Sequence, residues 1–108
     1  MFERIVINKY LLNVYDYHDV LIESGNLVKN KNKNLSVYFT EKEMDLFKKL
    51  IDSQKIKKQK IKTEILNFNS QLDTRSLESH LSRIRKKLIT IESTISILSE
   101  KDDFISIN

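Results

Sequence analysis

The stretch LDTRSLESHLSRIRKKL, residues 72–88, carries the strongest periodic pattern in the chain. Its apolar side chains recur at the spacing that places them on one face of an α-helix, and they are Leu77, Leu81, Ile84 and Leu88. Asp73 or Thr74 can cap the start, because a short side-chain oxygen accepts a backbone N–H that lacks a partner in the first turn. The other faces carry Arg, Lys, Ser and His. The stretch therefore predicts an amphipathic helix over residues 74–89 with a basic exterior.

A basic amphipathic helix has two interpretations. Taken alone, such a helix is more often a surface element with a solvated charged face, since runs of charge are weak signals. The alternative is a helix that enters the major groove of duplex DNA, which is wide enough to admit one. The pattern of the remaining chain decides which of these two interpretations is favoured.

The composition predicts one folded domain over residues 1–108. Hydrophobic residues make up 40% and charged residues 31% of the chain, which is typical of a globular protein. The chain has no cysteine, which excludes disulfides, thiolate metal sites and a cysteine nucleophile. Only two histidines are present, so a histidine-rich metal site is not expected. No Gly-rich phosphate loop is present either, so no cofactor is expected. No apolar run is long enough for a membrane span and the start lacks a signal-peptide layout, which predicts a cytoplasmic protein without membrane contact.

Positive charge is concentrated in one part of the chain. Between Lys55 and Lys87, ten basic side chains oppose three acidic ones, a local net charge of +7 that leaves −3 for the rest of a chain of net charge +4. This asymmetry is expected of a surface that binds a polyanion. RNA or an acidic membrane surface would suit it as well as duplex DNA, and an AT-rich genome would account for part of the lysine content.

Residues 1–39 predict an antiparallel β-sheet. Apolar and β-favouring residues cluster in five short runs: Ile5–Ile7, Leu11–Tyr15, Val20–Ile22, Leu27–Val28 and Leu35–Phe39. The single glycine, Gly25, lies between Ser24 and Asn26, where a tight hairpin turn needs a residue that tolerates positive φ. The polar run KNKNKN, residues 29–34, predicts a second turn.

Three helices are predicted after this sheet. The first covers residues 40–54, where Thr40 and Glu43 form the pattern of a capping box, and its apolar stripe is Met44, Phe47, Leu50 and Ile51. A shorter helix is predicted over residues 57–67, with Ile61 facing inward. The helix over residues 74–89 is the third.

Residues 94–107 predict a terminal β-hairpin, because apolar residues flank the polar turn at residues 99–103. The order of elements predicts an α+β fold: a winged helix-turn-helix with an N-terminal antiparallel sheet, three helices and a C-terminal hairpin wing. The third helix is then the recognition helix of that architecture. This favours the DNA-binding interpretation of its basic exterior.

Two motifs are similar to those of a known family. FTEKE, residues 39–43, and HLSRIRKKL, residues 80–88, resemble the effector domain of bacterial OmpR/PhoB-type response regulators. That family shows Leu-Thr-x-x-Glu at the first helix and His-hydrophobic-x-Arg-hydrophobic-Arg-Lys-x-Leu in the recognition helix. The likeness covers residues 35–107 well and the preceding residues only as a version of the family's N-terminal sheet. It implies a nucleoid-associated regulator that binds repeated half-sites in double-stranded DNA as a homodimer.

The resemblance also implies roles for individual residues. Arg83 corresponds to the family's main base-contacting arginine, and a guanidinium can bond guanine O6 and N7 together. Ser79 and Glu78 match positions that meet base edges. Positions that match contacts to the DNA backbone, or that add general charge, are Arg75, Ser76, His80, Ser82, Arg85, Lys86, Lys58 and Lys101. Structural alternatives stay open: Arg85 could form a salt bridge, His80 could support the fold, and Glu78 could be solvated.

Three features depart from the family. Strand patterning begins near Met1, so no receiver domain is expected before the effector domain unless the chain is part of a longer protein. Lys101–Phe104 replaces the usual Gly-Tyr pair of the wing and brings two aspartates, which predicts weak minor-groove contact or a wing used for protein contact.

Leu66 stands where a tryptophan is common. The five lysines of residues 55–62 could compensate, and neutralising about five phosphates predicts a slope of log K against log salt of about −4 to −5.

The sequence therefore predicts a DNA-binding transcription regulator that reads duplex DNA with residues 74–88. An enzyme is not expected, because no constellation of base, nucleophile and metal ligand is present. One alternative is a winged-helix module that binds RNA polymerase or another regulator. The other is a nucleoid-type DNA binder with little sequence preference.

Overall fold

The computed structural model describes residues 14–64, 74–99 and 103–108 of the chain. These residues contain seven β-strands and three α-helices. In chain order they are β1 (Tyr15–Tyr17), β2 (Val20–Ile22), β3 (Leu27–Asn30), β4 (Leu35–Tyr38), α1 (Glu41–Ser53), β5 (Lys55–Lys57), α2 (Lys58–Glu64), α3 (Thr74–Thr90), β6 (Ile97–Ser99) and β7 (Phe104–Ile107). The predicted α+β class, N-terminal antiparallel sheet, three helices and C-terminal hairpin are confirmed at this level. The predicted strand Ile5–Ile7 lies outside the described residues, as does the end of the predicted second helix.

The N-terminal sheet is a meander with the strand order β1-β2-β3-β4, and every neighbouring pair is antiparallel. Gly25 lies in the β2–β3 turn with φ of +59°, as the predicted hairpin requires. Alternate residues turn inward, because successive side chains of a strand point to opposite faces. Those that enter the core are Tyr15, Tyr17, Val20, Ile22 and Val28.

The capping box of α1 is confirmed. The Glu43 amide donates to Thr40 Oγ1 at 3.2 Å, and the Thr40 amide donates to Glu43 Oε1 at 2.9 Å. The predicted apolar stripe is buried, and Leu46 joins it. The helix ends at Ser53 and is capped by Gln54, whose φ is +68° and whose amide donates to Leu50 O at 2.6 Å.

The strand β5 was not predicted. It pairs antiparallel with β7, which also pairs with β6, so the terminal hairpin is two strands of a three-stranded sheet. The expected second helix, residues 57–67, started one residue too early, because Lys57 belongs to β5 and α2 begins at Lys58. The expected hairpin, residues 94–107, also began too early, since β6 starts at Ile97. In β5 Ile56 is buried opposite Ile105, but three residues are too short a run to show a strand period.

The core lies between the helices and the inner faces of the two sheets. The predicted stripe of α3 is buried along its length, and α3 packs against α1. Ile61 of α2, Ile56 of β5 and Ile105 of β7 belong to the same cluster. Within the described residues, no helix is long and apolar enough to span a membrane.

Buried polar side chains fasten the N-terminal sheet to the C-terminal end of α3. Asn30 Nδ2 donates to Ile91 O at 2.8 Å. The Asp19 carboxylate accepts from Ser93 Oγ and from the Thr94 amide, each at 2.8 Å. Burial alone raises the pKa of Asp19, but the hydrogen bonds from Ser93 and Thr94 outweigh it and hold that pKa below its ordinary value. The Asp19 carboxylate therefore stays ionised at neutral pH and accepts both hydrogen bonds, which attach the N-terminal sheet to the residues that follow α3.

Replacing Asn30 should weaken the attachment of the N-terminal sheet to the C-terminal end of α3. We expect Asn30→Ala to lower the free energy of unfolding by about 1–3 kcal/mol, because it leaves the buried Ile91 carbonyl without its donor. Urea unfolding followed by circular dichroism measures the change. Asn34→Ala, in the exposed β3–β4 turn, is the matched control and should change stability by less than about 0.5 kcal/mol. Equal effects of the two substitutions would contradict the role of Asn30.

Candidate nucleic-acid interface

One face of α3 is polar and exposed. Ser79, Ser82, Arg83 and Lys86 are three or four residues apart, so they lie on one side of the helix, opposite the buried stripe. All four are exposed, and the Arg83 side chain is 50% accessible to solvent. We call these four residues the outer face of α3. It brings together one predicted base-contacting arginine, one predicted base-contacting serine and two predicted backbone contacts.

The side of α3 next to α2 and β6 is engaged in contacts within the protein. Glu78 Oε2 lies 3.6 Å from Lys58 Nζ, so this carboxylate pairs with α2. Arg85 Nε donates to Ile97 O at 2.9 Å, which ties α3 to β6. The alternative for Arg85 was a salt bridge, but its main partner is a backbone carbonyl. Both residues were predicted to meet DNA, and each has a structural partner here.

The remaining predicted site residues divide between half-buried and undescribed positions. His80 is half-buried and lies on the side of α3 away from Glu78 and Arg85. The Lys58 side chain is only 18% exposed. The side chains of Arg75 and Ser76 and the whole of Lys101 lie outside the described residues.

The carboxylate of Glu43 joins α1 to the outer face of α3. The Glu43 side chain is fully buried, with 0% exposure. Its Oε2 accepts from Arg83 Nε at 3.1 Å and its Oε1 from Lys87 Nζ at 2.6 Å. Sequence reasoning found Glu43 only as half of a capping box. No local pattern predicts the other contacts, because the partners are 40 and 44 residues away.

These contacts decide the charge of Glu43. Burial alone raises the pKa of the carboxyl group, but hydrogen bonds from Lys87, the Thr40 amide and Arg83 outweigh it, so the pKa lies below its ordinary value. The carboxylate is therefore ionised at neutral pH, and it faces two cations from consecutive turns of α3. This places a fixed negative charge directly beneath Arg83.

The C-terminal sheet adds basic side chains around an aromatic ring. Lys55 Nζ and Lys57 Nζ lie 5.0 and 5.8 Å from the centre of the Phe104 ring, within the range of cation–π contacts. Phe104 is half-buried and contributes its ring to the contacts with both lysines. Asp103 precedes it, exposed and with φ of +66°.

Within the described parts of the chain, no three His, Cys, Asp or Glu side chains are grouped so that they could hold a metal ion. No protein-family model matches the chain, and no curated protein or solved structure is significantly similar to it.

The ionised Glu43 should make stability depend on pH. Its folded pKa lies below the ordinary value of 4.5, so its contribution is complete above that pH and is lost as the pH falls toward the folded pKa. We expect Glu43→Gln to lower the free energy of unfolding by about 1–3 kcal/mol at neutral pH. The gap between the two proteins should narrow below pH 4.5, as measured by urea unfolding at a series of pH values.

The control is Glu41→Gln, which removes an exposed carboxylate from the same helical turn. It should change stability at neutral pH by less than about 0.5 kcal/mol. A gap between wild type and Glu43→Gln that stays constant from neutral pH to pH 3 would show that the charge of Glu43 is not what stabilises the fold.

Proposed function

We propose that this protein is a sequence-specific DNA-binding transcription regulator with a winged helix-turn-helix domain of the OmpR/PhoB type. The observation that carries the proposal is the outer face of α3, where Arg83, Lys86 and two serines are exposed opposite a fully buried stripe. An α-helix fits the major groove of duplex DNA, which is about 12 Å wide. Short polar and long basic side chains on its free side are the groups that contact base edges and phosphates.

The arrangement around α3 supports this proposal. In the proposed architecture, α2 and α3 are the helix-turn-helix pair, and the sheet of β5, β7 and β6 carries the wing. Arg85 fixes that sheet beside α3 through the Ile97 carbonyl. A wing held in this way lies next to the groove that α3 enters, and Lys55 and Lys57 extend the positive surface along it.

Each residue has a proposed task. Arg83 reads a guanine through O6 and N7, while Ser79 and Ser82 bond to base edges or phosphates. Lys86 and Lys58 neutralise phosphates. Glu78 can accept from a cytosine amino group after releasing Lys58, whose Nζ lies 3.6 Å from Glu78 Oε2, beyond the usual length of a hydrogen bond. The proposed assembly is a homodimer on repeated half-sites, with RNA polymerase as a further partner.

Arg83→Ala tests the proposed base reading. The preferred site is first selected from a library of random duplexes with the wild-type protein. We expect the ratio of affinities for the selected duplex and for a duplex changed at one guanine to fall by about 10- to 100-fold in the variant, because one bidentate contact is removed. Lys29→Ala is the control, since it removes one positive charge from the N-terminal sheet, where Lys29 pairs with Glu23. Unchanged discrimination in Arg83→Ala would overturn the role of Arg83.

Lys58→Ala tests the proposed phosphate contact. It should weaken binding to all duplexes by a similar factor and leave the preference among them intact. The slope of log K against log salt should become less steep by about 1, because one fewer counterion is released. Fluorescence anisotropy at a series of salt concentrations measures both quantities, and an unchanged slope would exclude Lys58 from the interface.

A second candidate function is a protein-binding winged helix, favoured by the exposed carboxylate of Asp103 beside the wing turn. A negative charge at that position repels the phosphates that line the minor groove. The duplex selection separates the candidates. Absence of duplex affinity at low salt supports the protein-binding module, and equal affinity for all duplexes supports a nucleoid-type binder.

A further inference from the structure

The Arg83 side chain is bound at one of its nitrogens and open at the others. Its Nε donates to the fully buried Oε2 of Glu43 at 3.1 Å, yet half of the side chain is accessible to solvent. Among the described residues, no hydrogen bond involves either terminal nitrogen of Arg83. The inner part of the guanidinium is therefore anchored to the protein, and its terminal amino groups remain available.

The Glu43 carboxylate that accepts from Arg83 is itself held by two further hydrogen bonds. Oε1 accepts from the Thr40 amide at 2.9 Å and from Lys87 Nζ at 2.6 Å, so the carboxylate cannot turn away without breaking the cap of α1. The Glu43 carboxylate is shielded from solvent, because its side chain has no exposed surface. A hydrogen bond between opposite charges is stronger there than in water. The position of Arg83 is thus set by the backbone of a different helix.

We propose that Glu43 is a positioning residue for base reading: it holds Arg83 by Nε so that the two terminal nitrogens face a guanine end-on. The inference depends on the proposed function, since it assigns a partner to the base-reading arginine. A free arginine loses much rotational freedom when it binds, and holding it in the bound orientation beforehand reduces that loss. Glu43 thereby contributes to sequence discrimination without touching DNA.

A purely structural role makes a different prediction. Capping α1 uses Oε1, while the contact with Arg83 uses Oε2, so the two functions of the carboxylate are separable. If Glu43 only stabilised the fold, its replacement would weaken binding to every duplex equally. If Glu43 positions Arg83, its replacement reduces discrimination at the Arg83-dependent guanine and nowhere else.

The experiment is a double-mutant cycle on duplex discrimination. Affinities for the selected duplex, and for the same duplex with the Arg83-dependent guanine replaced, are measured for wild type, Glu43→Gln, Arg83→Ala and the double variant. We expect Glu43→Gln to reduce discrimination by about three- to tenfold in the wild-type background. In the Arg83→Ala background it should have no further effect. The control Glu41→Gln removes an exposed carboxylate from the same turn of α1 and should leave discrimination unchanged.

A second measurement needs no DNA and can be made on the wild-type protein alone. In the ¹⁵N-labelled wild-type protein, the Arg83 Nε–H should exchange with water more slowly than that of a solvated arginine, because it is bound to a buried carboxylate. Fast exchange overturns the positioning role even if Glu43→Gln fails to fold. In Glu43→Gln protein that folds, the exchange should become faster.

The outcomes separate this inference from the proposed function. If no duplex is selected, the proposed function fails and the base-reading role of Glu43 fails with it. If a duplex is selected and Arg83→Ala loses discrimination while Glu43→Gln does not, only the inference about Glu43 is overturned. Equal losses from Glu43→Gln in both Arg83 backgrounds would also overturn it, since the residue would then act independently of Arg83.

Discussion

The buried charge of Glu43 is the constraint that sets how α3 lies on α1. A carboxylate without solvent contact is strongly destabilising unless it is paired and hydrogen-bonded. Here its three donors come from the cap of α1 and from consecutive turns of α3. Sliding or rotating α3 would remove at least one cation and leave the charge uncompensated. The hydrophobic stripe alone would tolerate such movement, because apolar contacts are not directional. The polar contact therefore selects one register among several that burial would allow.

Two further contacts hold the rest of α3. Its C-terminal end is fixed by Asn30, which donates to the Ile91 carbonyl, and its side is fixed by Arg85, which donates to the Ile97 carbonyl. Together with Glu43, these contacts attach α3 to the N-terminal sheet, to β6 and to α1. Of the outer face of α3, these contacts use only Arg83 Nε. A helix that is attached at three points can present its other side chains in a defined orientation, which a binding surface requires if its contacts are to be specific.

Local patterns predicted the parts of this arrangement that local interactions determine. The capping box joins residues three positions apart, and the stripes of α1 and α3 follow from helical spacing, so both were readable in the sequence. The strand β5 was not, because three residues show no clear period and its partner β7 comes almost fifty residues later. The partners of Glu43, Arg85 and Asn30 were missed for the same reason. A glutamate in a helix predicts a solvated position, and only the tertiary structure places Glu43 in the core. For the candidate site, the sequence predicted which residues lie on α3. It did not predict the contact of Glu78 with Lys58 or that of Arg85 with the Ile97 carbonyl.

Pairing of charges explains which part of a lysine-rich chain is available to an anion. The β3–β4 region looks basic in sequence, yet its three lysines each face an acid: Lys29 pairs with Glu23, Lys31 with Asp16 and Lys33 with Glu92. Such exposed pairs add little stability, but they cancel the local field. On the outer face of α3, Lys86 has no carboxylate of a described residue within ion-pair distance, and Arg83 shares Glu43 with Lys87. One buried negative charge facing two cations leaves a net positive charge at that surface. In the proposed DNA-binding function, the face of α3 that attracts the polyanion is therefore also the face whose polar side chains would read it.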